Sequence, residues 1–327
     1  MVQDTSTHST NNLKKGNILS QNMCVICFLY HFDLDSKYVI DGINENDFRE
    51  IKDEIEEIIG KELIKITYNE KMIMKTPAYL RNINPNDYPI NKGYLSMDIK
   101  LSNQVKSSSK DYRYHMELIM AHIDLFDTGV ATVNLQFELN FEEGLDSFGI
   151  YNAYEKIYSK IRDSLKEKQI ESEELSILKQ IHDIIKNIRN KLRKGELYNE
   201  GQEWTLSQYP LFCLPKIHVN KLKKLFSLLY LKPKIDDLEE KIQYDPQLKE
   251  TIDQYSTNSK DNHFIPMWNA ALLIDNDREN IESYVKLLEL CSYIWLSAFL
   301  FRSYLINELD RMSKQFDSSN NLIVLMI

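Results

Sequence analysis

The sequence predicts an α/β (α+β) fold: a mixed sheet with flanking helices, followed by a helical region and a long C-terminal helix. Three observations predict it. Strand-like and helical segments are interleaved through the first 149 residues, as a mixed sheet with helices on its faces requires. Two long apolar arms, Tyr112 to Phe126 and Val130 to Phe141, meet at Asp127-Thr128-Gly129, where glycine supplies the positive φ of a tight hairpin turn. The longest helical pattern in the chain, from about Arg278 to Phe316, lies at its end.

Composition sets the outer bounds. The 327 residues suffice for one large core or two smaller ones. Hydrophobic content of 43% and charged content of 27% belong to an ordinary globular protein. Nine glycines and eight prolines are too few for a repetitive sandwich of tight turns. The formal charge of −9 argues against general nucleic-acid binding and against a membrane-surface protein, both of which usually carry a basic excess.

Four stretches follow in order. Residues 1–21 are rich in Ser, Thr, Asn and Lys and read as a disordered leader. Residues 22–149 form the mixed α/β domain. Met23 to Phe32 is apolar on both faces, which predicts a central strand. Asp47 to Ile59 carries a stripe of Phe48, Ile51, Ile55, Ile58 and Ile59 stopped by Gly60, and reads as a helix. Leu63 to Tyr68 and Tyr94 to Leu101 alternate as strands. Pro77 to Lys92 and Asn103 to Asp111 read as loops. Residues 150–262 form a helical region with a short strand. Tyr154, Ile157, Tyr158, Ile161 and Leu165 make one helical stripe, and Leu175 to Leu192 a second. Trp204 to Leu214, with Pro210, reads as irregular, and Leu222 to Leu231 as the short strand.

Residues 263–327 hold a strand plus the long C-terminal helix. Phe264 to Ile274 is the strand-like run. Asn276 with Glu279 three residues later reads as a capping box, and Asp277, Glu279 and Glu282 suit the helix dipole. Ile281, Val285, Leu288, Trp295, Phe299, Tyr304, Ile306 and Met312 recur at mostly three- and four-residue steps. Leu290 to Phe301 is apolar nearly all round, but is short of the roughly 20 residues a membrane span needs. The helix is therefore expected to start in the core and continue as a solvated or oligomer-facing stalk, with Trp268, Tyr284, Leu288, Trp295 and Phe299 as its core or oligomer contacts.

The four cysteines, Cys24, Cys27, Cys213 and Cys291, sit mostly in apolar runs where a free thiol acts as a small hydrophobe. Met1 to Gln21 lacks the apolar core of a signal peptide, so a cytoplasmic protein with reduced thiols is expected. Cys24-Val-Ile-Cys27 has redox spacing but lies in a strand pattern, not at a helix N-terminus, and no second pair completes a zinc site.

Three groups carry candidate chemistry. His31, Asp33 and Asp35 alternate at the end of the first strand; two carboxylates at i and i+2 there could hold Mg²⁺, where open sheets tend to bind ligands. Their bland reading is a solvated strand end. Lys186, Arg189, Lys191, Arg193 and Lys194, with Lys216, His218, Lys221, Lys223 and Lys224, form two basic clusters in an acidic chain. Arg189, Arg193, Lys194, Lys221 and Lys224 are the candidate phosphate contacts; a solvated face is the alternative. Asp127-Thr128-Gly129 has the form of the aspartic-protease turn, yet Val130 follows where that family has Ser or Ala, and a hairpin turn explains it. Asp275-Asn276-Asp277 is explained by helix capping. No Walker loop, G-x-G-x-x-G, H-E-x-x-H or G-x-S-x-G is present.

In architecture, residues 23–316 resemble the cytosolic part of CorA-like divalent-cation transporter proteins. The residues that carry the likeness are the hairpin Leu125-Phe126-Asp127-Thr128-Gly129-Val130-Ala131-Thr132-Val133, and Trp268 through Ile274 entering a helix with Tyr284, Leu288 and Trp295. The Gly-Met-Asn signature and the two membrane spans of that family are missing. The resemblance implies an α/β/α domain handing over to a stalk helix, Mg²⁺ sensing, assembly as a ring and a membrane-protein partner. The function expected is a non-enzymatic cytoplasmic sensor or regulatory module that forms homo-oligomers through its C-terminal helix and binds an ion, Mg²⁺ for one, or a phosphate-bearing ligand. The rivals are a metal-dependent enzyme acting on nucleotides through His31, Asp33 and Asp35, and a structural partner-binding protein using the aromatic residues of the last helix.

Overall fold

The computed structural model describes residues 18–33, 42–69, 72–74, 88–90, 93–100, 106–165, 181, 183–184, 186–188, 207–215, 219–231, 263–267 and 269–325. The strands are β1 (Met23–Asp33), β2 (Ile64–Asn69), β3 (Met72–Met74), β4 (Tyr88–Ile90), β5 (Tyr94–Ile99), β6 (Lys106–Ser109), β7 (Tyr114–Phe126), β8 (Val130–Phe141), β9 (Ser207–Leu214), β10 (His263–Pro266) and β11 (Ala271–Ile274). The helices are α1 (Glu45–Ile59), α2 (Ser147–Leu165), α3 (Val219–Leu231) and α4 (Arg278–Leu325).

Nine strands make one mixed sheet in the order β10-β11-β9-β1-β8-β7-β5-β2, with β6 pairing the other end of β7; β3 and β4 form a separate ribbon. β1 is central, antiparallel to β8 on one side and to β9 on the other. Its continuous apolar run follows from that position, since both faces are covered. The β7–β8 hairpin turns at Gly129, whose φ of 77° only glycine adopts without strain. β9, β10 and β11 come from the two later stretches of the chain and complete the sheet begun by the first.

Alternation splits the sheet into two faces. One face of β1, β5, β7 and β8 meets α1, α2 and α3 in the main core, where Phe28, Phe137, Tyr154 and Phe212 pack ring to ring. The other face meets α4. There Val25, Cys27 and Leu29 of β1 and Leu211 and Cys213 of β9 pack under Ile281, Tyr284 and Val285.

Several expectations are corrected. Leu222 to Leu231 is helical, within α3: Leu222, Leu225, Phe226 and Leu229 bury one stripe at three- and four-residue steps, and a short apolar run fits either period until its neighbours decide. Ser207–Leu214 is a strand despite Pro210. β11 pairs only with Leu211–Leu214, so the proline falls where that ladder ends and no N–H is missed there. The run from Phe264 is two strands, folded at Met267, whose N–H donates to the Ala270 carbonyl at 2.8 Å. The N-cap of α4 is Asp277, whose Oδ1 accepts from the Glu279 N–H at 2.9 Å; Asn276 instead gives its carbonyl to the Leu19 N–H at 2.8 Å. Thus the leader is tied down at its end, with Leu19 buried. The two expected loops contain β4 and β6, and α4 runs on to Leu325. Among the described residues no helix is long and apolar enough to cross a membrane.

Candidate functional site

The sequence-predicted residues do not assemble into one site. His31 is buried on the α4 face of β1, opposite Thr132 of β8 and Ser207 of β9. β1 reaches Asp33, but the Asp33 side chain and all of Asp35 lie outside the described residues. Among the described residues no group of three or more His, Cys, Asp or Glu is placed to hold a metal ion. Arg189, Arg193 and Lys194 also lie outside them. Lys221 and Lys224 do internal work: Lys221 Nζ donates to the Leu145 carbonyl at 2.6 Å, and Lys224 Nζ sits 3.5 Å from the centre of the Phe148 ring, clamping α3 to the start of α2. Cys24 and Cys27 point to opposite faces of β1, so they cannot share a ligand, and burial pushes the Cys24 thiol up. Tyr284 and Leu288 pack on the sheet, Trp295 is exposed, and Trp268 and the Phe299 side chain lie outside the described residues.

What the fold does bring together is a chain of charges beneath α4. Strand register builds it. β5 sets Asp98 beside His122 of β7 and Ser96 beside Asp124. β8 adds Asn134 beside His122 and Thr132 beside Asp124, and β1 adds His31 beside Thr132. A transverse row, Ser96–Asp124–Thr132–His31, therefore crosses four strands on the α4 face. Asp124, Thr132, His31 and Asn134 are all buried. α4 then lowers Lys286 and Glu289 onto this row.

The distances define a relay of alternating sign. Asp98 Oδ1 lies 2.7 Å from His122 Nδ1, and Asp124 Oδ1 lies 2.9 Å from His122 Nε2. Lys286 Nζ donates to Asp124 Oδ2 at 3.0 Å and lies 2.9 Å from Glu289 Oε2. Burial alone would depress the imidazolium, but the carboxylates of Asp124 and Asp98 outweigh it and raise the His122 pKa to about 9. Burial would likewise raise Asp124, yet His122 and Lys286 hold it well below the usual carboxylate range. Burial would lower Lys286, and Glu289 and Asp124 instead raise it above its ordinary value. The hydrogen bond from His122 lowers Asp98.

Ser96 Oγ stands 3.4 Å from His122 Nε2, so Ser96, His122 and Asp98 have the outline of a nucleophile, base and orienting acid. The chemistry does not follow. With carboxylates on both ring nitrogens, His122 is held as imidazolium and has no lone pair to take the serine proton. The arrangement is an electrostatic fastening of helix to sheet.

Three further contacts fasten α4. Arg278 Nη2 donates to Glu138 Oε2 of β8 at 2.6 Å. The Tyr293 and Phe126 rings lie 4.3 Å apart in a cluster with Val130, Leu290 and Leu296. Thr128 Oγ1, in the hairpin turn, lies 3.2 Å from Ser297 Oγ. Asp127-Thr128-Gly129 thus holds the helix as well as turning the chain.

Sequence reasoning missed His122, Asp124, Asp98, Lys286 and Glu289. The available signal was Ser96-Met-Asp98 and His122-Ile-Asp124, polar residues at alternate positions of otherwise buried strands, and Lys286 with Glu289 in an apolar stretch of helix. No family model, no curated protein and no solved structure matches this chain.

Proposed function

We propose that the chain is a non-enzymatic regulatory or sensor module of the cytoplasm, in which the sheet holds the base of α4 and the outer part of α4 joins other copies. The observation that supports it best is the contrast along α4. As far as Ser297 it is fastened to the sheet by Arg278, Lys286, Tyr293 and Ser297. Beyond that it carries Phe301, Leu305, Ile306, Leu309 and Met312 on its surface, 43–66% exposed. Large apolar side chains grouped in this way mark an interaction surface.

The likeness to the cytosolic part of CorA-like proteins belongs to this proposal. Its support is architectural: a mixed sheet with helices on its faces hands over to a helix of 48 residues. The ligand in this reading is an ion such as Mg²⁺ or a phosphate-bearing molecule. The Asp124–Lys286–Glu289 bridge is where a change in the sheet would be felt by the helix, because it joins buried charges of both.

Native mass spectrometry of the full chain, with and without Mg²⁺ and ATP, tests the reading. It predicts an oligomer whose stability changes with one of them. A monomer that retains neither overturns it.

A further inference from the structure

We infer that the partner of the outer half of α4 is a second copy of the same helix, running antiparallel about a two-fold axis near residue 303. This rests on the self-association reading above and gives it a geometry.

One face of α4 carries Leu287, Cys291, Ile294, Ala298, Phe301, Leu305, Glu308 and Met312, all exposed except the half-buried Leu287 and Glu308. Their spacing alternates strictly between four and three residues, the 3.5-residue period of two helices that wrap around each other. The stripe lies opposite the side that Ile281, Val285, Glu289, Tyr293 and Leu296 bury. At about 1.5 Å per residue it runs for roughly 38 Å. Its charges also permit a like partner. From Ile294 to Lys314 there are three cations, Arg302, Arg311 and Lys314, against Glu308 and Asp310, in a chain whose net charge is −9.

Glu308 decides the direction. A parallel, in-register pair sets Glu308 against Glu308 between two apolar layers, and two like charges that close in a drying seam are strongly disfavoured. It also stacks two acidic sheet domains at one end. The antiparallel pair about residue 303 forms the layers Ile294 with Met312, Ala298 with Glu308 and Phe301 with Leu305, each residue from one copy against its partner from the other. Glu308 then faces the smallest side chain of the stripe and has room to turn outward. Arg302 of the second copy lies one turn from that alanine. Arg311 of its own helix already donates to Glu308 Oε2 at 2.7 and 3.1 Å. Two guanidinium groups thus neutralise one carboxylate. The sheet domains fall at opposite ends of the pair, as a closed two-fold assembly allows.

Cys291 supplies the test, because it is exposed while Cys24, Cys27 and Cys213 are buried. In the antiparallel register Gln315 of one copy lies opposite Cys291 of the other. Copper-phenanthroline oxidation of the full-length Gln315→Cys protein should give a disulfide-linked dimer on a non-reducing gel. The natural protein should give none, and nor should the Cys291→Ser, Gln315→Cys double variant. Efficient linkage of the natural protein through its own Cys291 overturns the antiparallel geometry and leaves self-association standing. A dimer by sedimentation that no pair of these thiols links overturns the stripe as the seam. Sedimentation as a monomer at tens of micromolar overturns both the geometry and the reading on which it rests.

Discussion

Lys286 Nζ of the terminal helix lies 3.0 Å from Asp124 Oδ2, on a strand 162 positions earlier in the chain. Asp124 is fully buried, whereas the Lys286 side chain is 43% exposed. The lysine therefore closes the sheet's buried charge from above while its stem reaches toward water. It ties the C-terminal helix to the sheet between two apolar patches.

Removing the ammonium should cost more than the pair is worth. Lys286→Met leaves Asp124 and Glu289 buried without their shared cation, and the expected loss is about 3 kcal/mol in urea unfolding. Adding Glu289→Leu to that variant should recover most of it, because Asp124 keeps His122 at 2.9 Å and the stranded charge is then gone. A double variant no more stable than Lys286→Met alone would contradict the relay as the cause.

The relay also sets a pH dependence. The folded-state pKa of His122 is about 9, above its ordinary value of 6.5. A raised pKa stabilises the fold fully below pH 6.5 and is lost as pH climbs through 9, an effect of up to about 3 kcal/mol. Asp124, held below the usual range, acts in the opposite sense: its contribution is present above its unfolded pKa and fades in acid. Stability measured in urea should thus fall between pH 6.5 and 9.5. In His122→Gln the part of that fall below about pH 8 should be largely absent, whereas above it the buried Cys24 and Cys213 thiols, whose pKa burial raises, add a loss of their own.

Thiol reactivity gives a direct reading of burial. Cys291 is exposed and Cys24, Cys27 and Cys213 are buried. One thiol per chain should react with Ellman's reagent under native conditions, slowly because partial burial raises the Cys291 pKa and the second helix covers it, and four after unfolding. Fast native reaction of more than one thiol would mean that α4 leaves the sheet.

Aromatic packing at the hairpin tip should matter as much as charge. Phe126 is buried against Tyr293 and Tyr94. Phe126→Ala should cost about 3–4 kcal/mol, the range for an emptied aromatic site. Thr128→Val, which only removes the contact with Ser297, should cost about 1 kcal/mol.

Much of the sheet was legible because its signals are local. β1 announces itself by an apolar run on both faces, and β7 with β8 by the Asp-Thr-Gly turn between long arms. α3 was not legible, since the run from Leu222 to Leu231 satisfies a strand and a helix equally and only packing on α2 selects one. β9 was hidden by Pro210, which is tolerated because β11 starts pairing one residue later. The relay was least legible. Nothing near Asp124 in sequence names Lys286, and only register across β5, β7 and β8 together with the path of α4 brings them into contact. The apolar stripe on the outer helix was only partly legible: spacing alone picked out Trp295, Phe299, Tyr304 and Ile306, and only the way α4 lies on the sheet leaves Ile294, Phe301 and Leu305 exposed along one line.

Sedimentation equilibrium of the full chain beside Leu305→Asp tests the pairing of α4 through that stripe. The natural protein should self-associate at micromolar concentration and the variant should be monomeric, with unchanged urea unfolding of the sheet. A natural protein that stays monomeric, or a variant that associates equally well, would contradict it.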